Sequence, residues 1–265
     1  MAELDLVKTG ISGFDAILSS GIPRGNVILV EGGIGTGKTT MGVEFIYRGA
    51  SMFGEPGIIV LFEVSPDRLV RDAACFGWDL HALEGQRKLK IIFTTRQVFR
   101  QELQQTDSLL LEEAAEIGAR RIYVDGVAGA ASAVGGAELR DSFHVLVEGL
   151  QREKLTAVFA VEASAIDGDR RTALPEESIA DTVIRLRMEE RFRATVRSIE
   201  VVKSRGHDFQ MGRHSFRIVD GHGLEVYRRV QAPRRAAALA GPARAAAAQP
   251  GCPAVGAHRA AGAEV

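Results

Sequence analysis

Residues 32–39 read Gly-Gly-Ile-Gly-Thr-Gly-Lys-Thr, and this octet constrains the chain more than any other stretch. It fits the pattern G-x-x-x-x-G-K-[ST], in which glycines let backbone N–H groups turn inward around phosphate oxygens without a side-chain clash. Lys38 brings a cation to the β- and γ-phosphates of a nucleotide, and the Thr39 hydroxyl can ligate Mg2+. The helix that follows points the positive end of its dipole at the anion. The octet stands between the apolar run Val27-Ile28-Leu29-Val30 and a helical pattern from Lys38 to about Ala50, which is the setting the motif requires. Gly32, Gly33, Ile34, Gly35, Thr36, Gly37, Lys38, Thr39 and the adjoining Thr40 are the expected nucleotide-binding residues, with ATP and Mg2+ as the expected ligands.

Such a loop needs a sheet behind it, and the chain supplies one. Short apolar runs alternate with helical patterns, which predicts an α/β fold with a mostly parallel sheet flanked by helices. Strands are expected at 27–30, 57–62, the segment KLKIIFTT, RRIYVDG and 156–161. Helices are expected from Ser65-Pro66 to Phe76-Gly77, over 101–117 and over 138–154. From Thr182 the pattern changes to strands at 182–187, 193–202, 215–219 and 224–227, read as antiparallel hairpins added to the sheet edge. Residues 1–230 form the expected domain. Beyond it, 231–265 collapses to Ala, Pro, Gly and Arg without bulky apolar periodicity, and a disordered tail is predicted.

Composition narrows the function classes. Of 265 residues 46% are hydrophobic, enough for one sizeable core. Lys+Arg 33 against Asp+Glu 34 gives a net charge of −1, so no electrostatic footprint points to nucleic acid. The two cysteines, Cys75 and Cys252, form neither a disulfide framework nor a ligand cluster, and a reducing compartment is expected. The six histidines, His207, His214 and His222 among them, fit no single helix face and predict no metal site. MAELDLVKTG has no signal-peptide core, and no run approaches the roughly 18 apolar residues of a membrane span. A cytoplasmic protein without a membrane partner is the expectation.

Two strand-end carboxylates complete the candidate site. Asp125 closes Ile122-Tyr123-Val124 and is placed to hold Mg2+ through water; its bland alternative is a turn former. Glu63 closes the strand at 57–62 and is placed to polarise a water for in-line attack on the γ-phosphate; its alternative is a solvated strand end. Trp78, in Phe-Gly-Trp-Asp-Leu, reads as a packing residue.

The stretch KTGISGFDAILSSGIPRGNVILVEGGIGTGKTT resembles the opening of KaiC-type ATPases, a branch of the RecA superfamily. The likeness continues through GEPGIIVLFEVSPDRLVRDAACFGWDL, RRIYVDG, SIADTVIRL and KSRG, covering about residues 7 to 230 in the family's order. It implies a RecA-like domain assembled as a homo-hexamer with ATP at each subunit interface. Clock KaiC proteins carry two such domains in tandem, whereas this chain has one P-loop. The family pairs two glutamates after its second strand. Here the first matches Glu63 and the second is Val64, which implies slow turnover or switch-like binding. Lys203 and Arg205 match basic residues that act in trans on the neighbouring subunit's nucleotide. Some family members phosphorylate themselves on an adjacent Ser-Thr pair, matched here by Glu177 and Ser178. That leaves Ser178 as a candidate phosphoacceptor for autokinase activity, with a helix cap or surface hydroxyl as the plainer role.

Three functions follow as expectations. The leading one is a ring-forming signalling or clock-type regulator that binds and slowly hydrolyses ATP, with Glu63 and Lys38 catalytic and an unidentified signalling protein as partner. A recombinase-like ATPase binding single-stranded DNA is the second. It would need basic loops, and the candidates are 129–136, which has no charge, and 166–174, where Arg170 and Arg171 face Asp167 and Asp169. The third is a nucleotide-gated interaction module without significant catalysis.

Overall fold

Strands buried on both faces must be covered by helices on both faces, and the central strands of this chain are buried along almost their whole length. In the computed structural model the described residues are 5–105, 108–126, 143–144, 147–162 and 175–229. The elements run β1 (Leu6–Val7), β2 (Ile22–Pro23), β3 (Val27–Gly32), α1 (Lys38–Met52), β4 (Gly57–Leu61), α2 (Pro66–Ala74), α3 (Leu80–Gly85), β5 (Leu89–Phe93), α4 (Arg96–Gln104), α5 (Leu109–Glu116) and β6 (Arg121–Val124). A helical segment at 147–152, here α6, precedes β7 (Thr156–Glu162). α7 (Pro175–Ile179), β8 (Thr182–Arg191), β9 (Ala194–Ser204), β10 (Arg213–Val219) and β11 (Gly223–Tyr227) complete the order. No described helix is long and apolar enough to cross a membrane.

Nine strands form one sheet in the order β11-β10-β9-β8-β3-β7-β6-β4-β5. Period-two alternation divides its core into two layers. Ile28, Val30, Ile59, Leu61 and Tyr123 face the layer containing α1, α2 and α3 side chains such as Ile46, Leu69 and Leu80. Val27, Leu29, Ile58, Val60 and Ile122 face the opposite layer with Phe99, Leu110 and Leu150. Each such side chain contributes about 1.5–3 kcal/mol by burial. β3, central and paired on both sides with parallel strands, is thus held on four sides just before the chain enters the glycine loop.

The structure corrects two expectations. β8 is not an antiparallel addition to the sheet edge: it pairs in parallel with β3, Ile28 opposite Thr182 and Gly32 opposite Leu186. Antiparallel pairing begins only with β9. The apolar inner residues of β8, Val183, Ile184 and Leu186, need cover on both faces, and a place beside the central strand provides it. The helix expected over 101–117 is two helices. Thr95 caps α4 by accepting from the Val98 N–H, and Ser108 starts α5 by accepting from the Leu111 N–H at 3.3 Å. The capping preference of these hydroxyls overrides the continuous amphipathic pattern. Of the helix expected over 138–154, only 143–144 and 147–154 lie within the described residues, and the 231–265 tail lies outside them. Trp78 is a packing residue as expected, stacked on Tyr47 and tilted against Phe76.

One buried acid joins α1 to the far edge of the sheet. Glu44 is fully buried, and its Oε2 accepts from the Leu224 N–H of β11 at 2.8 Å. Its Oε1 lies 3.4 Å from Arg48, which in turn donates to the His222 carbonyl. Burial pushes the Glu44 carboxyl from its ordinary 4.5 up to about 7, against the opposing pull of the Leu224 N–H and Arg48. The folded protein therefore keeps this proton where the unfolded chain has lost it, so the group's contribution to stability falls as pH rises from 4.5 to about 7. Glu44→Gln keeps an acceptor for Leu224 but has no charge to bury. Between about pH 5 and about pH 8 the unchanged protein should lose about 2–3 kcal/mol more stability than this variant. Denaturant unfolding of both across that range tests it; parallel curves would overturn the assignment.

Candidate functional site

The glycine loop is shaped by backbone that only glycine adopts freely. Gly35 and Gly37 sit at φ 75° and φ 100°. At Gly32 a Cβ would lie 2.5 Å from the Thr36 hydroxyl and 2.9 Å from the Leu186 carbonyl, so even a methyl group there would close the turn. Thr36 donates its hydroxyl to the Gly33 carbonyl at 2.9 Å. Lys38 folds back over the loop, and its Nζ donates to the Gly32 and Gly33 carbonyls at 2.8 Å each. Burial lowers the Lys38 ammonium below its ordinary value, while the charges of Glu162 and Asp125 pull it back up. α1 begins with no side-chain cap and no acidic residue in its first turn. Its leading N–H groups and dipole are left to an anion.

Asp125 follows β6 and faces the start of α1. Its Oδ2 accepts from the Thr39 hydroxyl at 3.1 Å and its Oδ1 from the Tyr123 hydroxyl at 2.9 Å. Burial raises its carboxyl above the usual value, opposed by the Tyr123 and Thr39 hydrogen bonds and by Lys38. Tyr123 reaches this position because α1 carries Gly42, where a Cβ would lie 2.0 Å from the tyrosine ring. Among the described residues no three His, Cys, Asp or Glu side chains gather as a metal cluster. Thr39 and Asp125 are nonetheless a fitting protein contribution to Mg2+, which takes few protein ligands and draws the rest from phosphate and water.

Glu63 lies two residues past β4, and 73% of its side chain is exposed. Its Oε1 accepts from Arg96 Nη2 at 2.5 Å, and Arg96 Nε donates to the Gly126 carbonyl at 2.7 Å. Val64, in the place of a second glutamate, is partly buried against the core. With Thr39, Thr40, Val43 and Trp78 it lines a cavity of about 280 Å3 between α1 and α2.

Sequence reasoning missed three members of this site. Glu162, the exposed last residue of β7, is the carboxylate whose charge acts most on Lys38; its strand-end position, shared with Asp125, was a usable signal. The Tyr123 hydroxyl is visible only once Asp125 is placed beside it. Arg96 carries no local signal at all, because its partners lie 33 and 30 residues away.

Lys203 and Arg205 are not brought to this loop. They stand at the end of β9 nearest the first residues of β8, with Lys203 opposite Val183. Lys203 donates to the Glu177 and Ala180 carbonyls, and Arg205 to the Ser178 carbonyl. Burial, with the Arg205 charge alongside, lowers the Lys203 ammonium. Ser178 is exposed on α7. His214 is buried and accepts from the Arg229 N–H through Nδ1. The loops 129–136 and 166–174 considered for DNA lie outside the described residues.

Comparison with known proteins agrees with this geometry. The KaiC ATPase family model matches residues 7–231. The circadian clock protein KaiC2 of Synechocystis is 35% identical over 241 residues, covering 84% of this chain and 40% of that protein. The clock oscillator protein KaiC of Synechococcus elongatus is 33% identical, covering 83% and 44%. The chain thus spans less than half the length of these curated relatives. A crystal structure of a KaiC-like protein from Pyrococcus horikoshii superposes with a TM-score of 0.74 at 31% identity, covering 85% of this chain and 100% of that one.

The Gly42–Tyr123 packing is open to direct test. Gly42→Ala should force α1 away from β6 and cost about 1–3 kcal/mol of stability, read by denaturant unfolding. An unchanged midpoint would mean that helix and tyrosine do not meet as described.

Proposed function

Because the chain belongs to the KaiC family of RecA-superfamily ATPases, we propose that it binds Mg-ATP at residues 32–40 and hydrolyses it slowly. One observation carries the reading: the Lys38 ammonium closes a glycine cradle beside the hydrogen-bonded Thr39–Asp125 pair. Mg2+ bound at that pair would neutralise charge developing on the phosphates. The loop N–H groups and the start of α1 bind the triphosphate. Lys38, pre-bonded to two carbonyls, exchanges them for phosphate oxygens. Glu63, at the solvent mouth, orients a water and accepts its proton.

The reading extends to a homo-hexameric ring with Lys203 and Arg205 acting in trans. The strand register supports this. They lie beside the first residues of β8 while the loop follows Gly32, opposite Leu186, about 10 Å from Lys203 and about 16 Å from Arg205 along the strand at about 3.3 Å per residue. They are badly placed for the chain's own nucleotide, and serving a neighbour's would mean exchanging their bonds to the Glu177, Ala180 and Ser178 carbonyls. A regulatory role, of the clock or signalling kind for which the relatives are named, would be read by a protein partner. Autokinase activity has thinner support, a single exposed hydroxyl at Ser178. Val64 favours a second reading, a nucleotide-gated module with negligible turnover, since the side chain that replaces the second carboxylate is apolar, packs against the core and can neither orient nor activate water.

Lys38→Ala should abolish saturable Mg-ATP binding, measured by calorimetry. Glu63→Gln should bind within a few-fold of the unchanged protein while phosphate release falls by about 100-fold or more. Undiminished release from Glu63→Gln would remove Glu63 from its role. Binding without measurable release in the unchanged protein, with ATP-dependent growth in particle mass, would select the gated module instead.

A further inference from the structure

Glu63 is exposed over 73% of its side chain, and an exposed glutamate samples many rotamers. A group that orients water gains from being held. The structure holds it from one direction. Arg96, the first residue of α4, spans two acceptors with its guanidinium: Nη2 to Glu63 Oε1 at 2.5 Å and Nε to the Gly126 carbonyl at 2.7 Å. Its plane lies over the Phe62 ring, 5.3 Å from the centroid, and Phe62 packs edge-on against Phe99 of the same helix. Gly126 directly follows Asp125 and has φ 84°, a conformation that glycine takes without strain. The neighbouring strands β4 and β6 carry Glu63 and Asp125 at their ends. Arg96 is therefore the tie between two strand ends, one bearing the water-orienting carboxylate and the other the carboxylate paired with Thr39.

We propose that Arg96 is a positioning residue for hydrolysis, a fork that fixes the Glu63 carboxylate relative to the Asp125 strand end. The proposal rests on Glu63 acting on the attacking water. In that step the water oxygen bonds to the γ-phosphorus as the bond to the β–γ bridging oxygen breaks. ADP leaves with that electron pair, and the water proton passes to Glu63. Arg96 touches none of the reacting atoms. It occupies Oε1 and restricts how the carboxylate can turn toward water. One ammonium cannot replace it, because a lysine at 96 could reach only one of the two acceptors at a time.

The test uses the full chain and four variants, with kcat, KM and calorimetric Mg-ATP affinity as readouts. Arg96→Ala should lower kcat roughly 10–100-fold and leave KM and affinity within about two-fold. Arg96→Lys should recover part of the loss. Arg96→Ala combined with Glu63→Gln should be no slower than Glu63→Gln alone, because both changes act through one group. If Glu63→Gln hydrolyses normally, the catalytic reading of Glu63 falls and this proposal falls with it. If Glu63→Gln is inactive but Arg96→Ala turns over at or above the unchanged rate, Arg96 positions nothing and only this proposal is overturned. A loss of affinity equal to the loss of kcat would mark a purely structural residue and overturn it as well.

Discussion

A lysine ammonium bonded to two backbone carbonyls at the end of a buried strand is the constraint around which this molecule is arranged. The Gly32 and Gly33 carbonyls hold the Lys38 ammonium, which limits the cost of burying the charge. That arrangement requires the loop to be tightly wound, and hence glycine at 35 and 37. It also requires the strand beneath to stay still, and β3 is the strand with parallel partners on both sides and apolar layers above and below.

The helix that carries Lys38 is anchored with similar care, but by polar means. Glu44 reaches β11, Arg48 reaches the turn before it, and the close approach of Gly42 seats the helix on Tyr123. The first two contacts join the P-loop helix to the antiparallel edge of the sheet. Buried Arg121 does comparable work at the other end of α1, bonding Glu55 and the Phe45 and Lys8 carbonyls.

The strand-end carboxylates are treated in opposite ways, in keeping with the roles proposed for them. Asp125 is half-buried, with two hydroxyls donating to it and its carboxyl raised, an environment that would gain from a divalent cation. Glu63 faces solvent and meets one guanidinium. A group that handles water must reach water. Val64, partly buried against the core, lines the cavity between α1 and α2 and adds no second acid beside Glu63.

Much of this was legible in the residues. The P-loop, the alternation of strand and helix, and the candidate roles of Glu63 and Asp125 all follow from short-range pattern, because loop geometry and strand periodicity are set by neighbouring residues. The parallel pairing of β8 was not legible, since an apolar run of that length reads the same in either direction. Nor was the break near Ser108, where a local cap competed with a helical period that continued through it. What the sequence by itself determined is a phosphate cradle on a mostly parallel sheet and the family that carries it. Only the tertiary structure decided which groups surround the carboxylates: Arg96 on Glu63, Tyr123 on Asp125, Glu162 near Lys38. The first and last of these join residues far apart in the chain, Arg96 and Glu63 being 33 positions apart, and the sheet order brings those strand ends together.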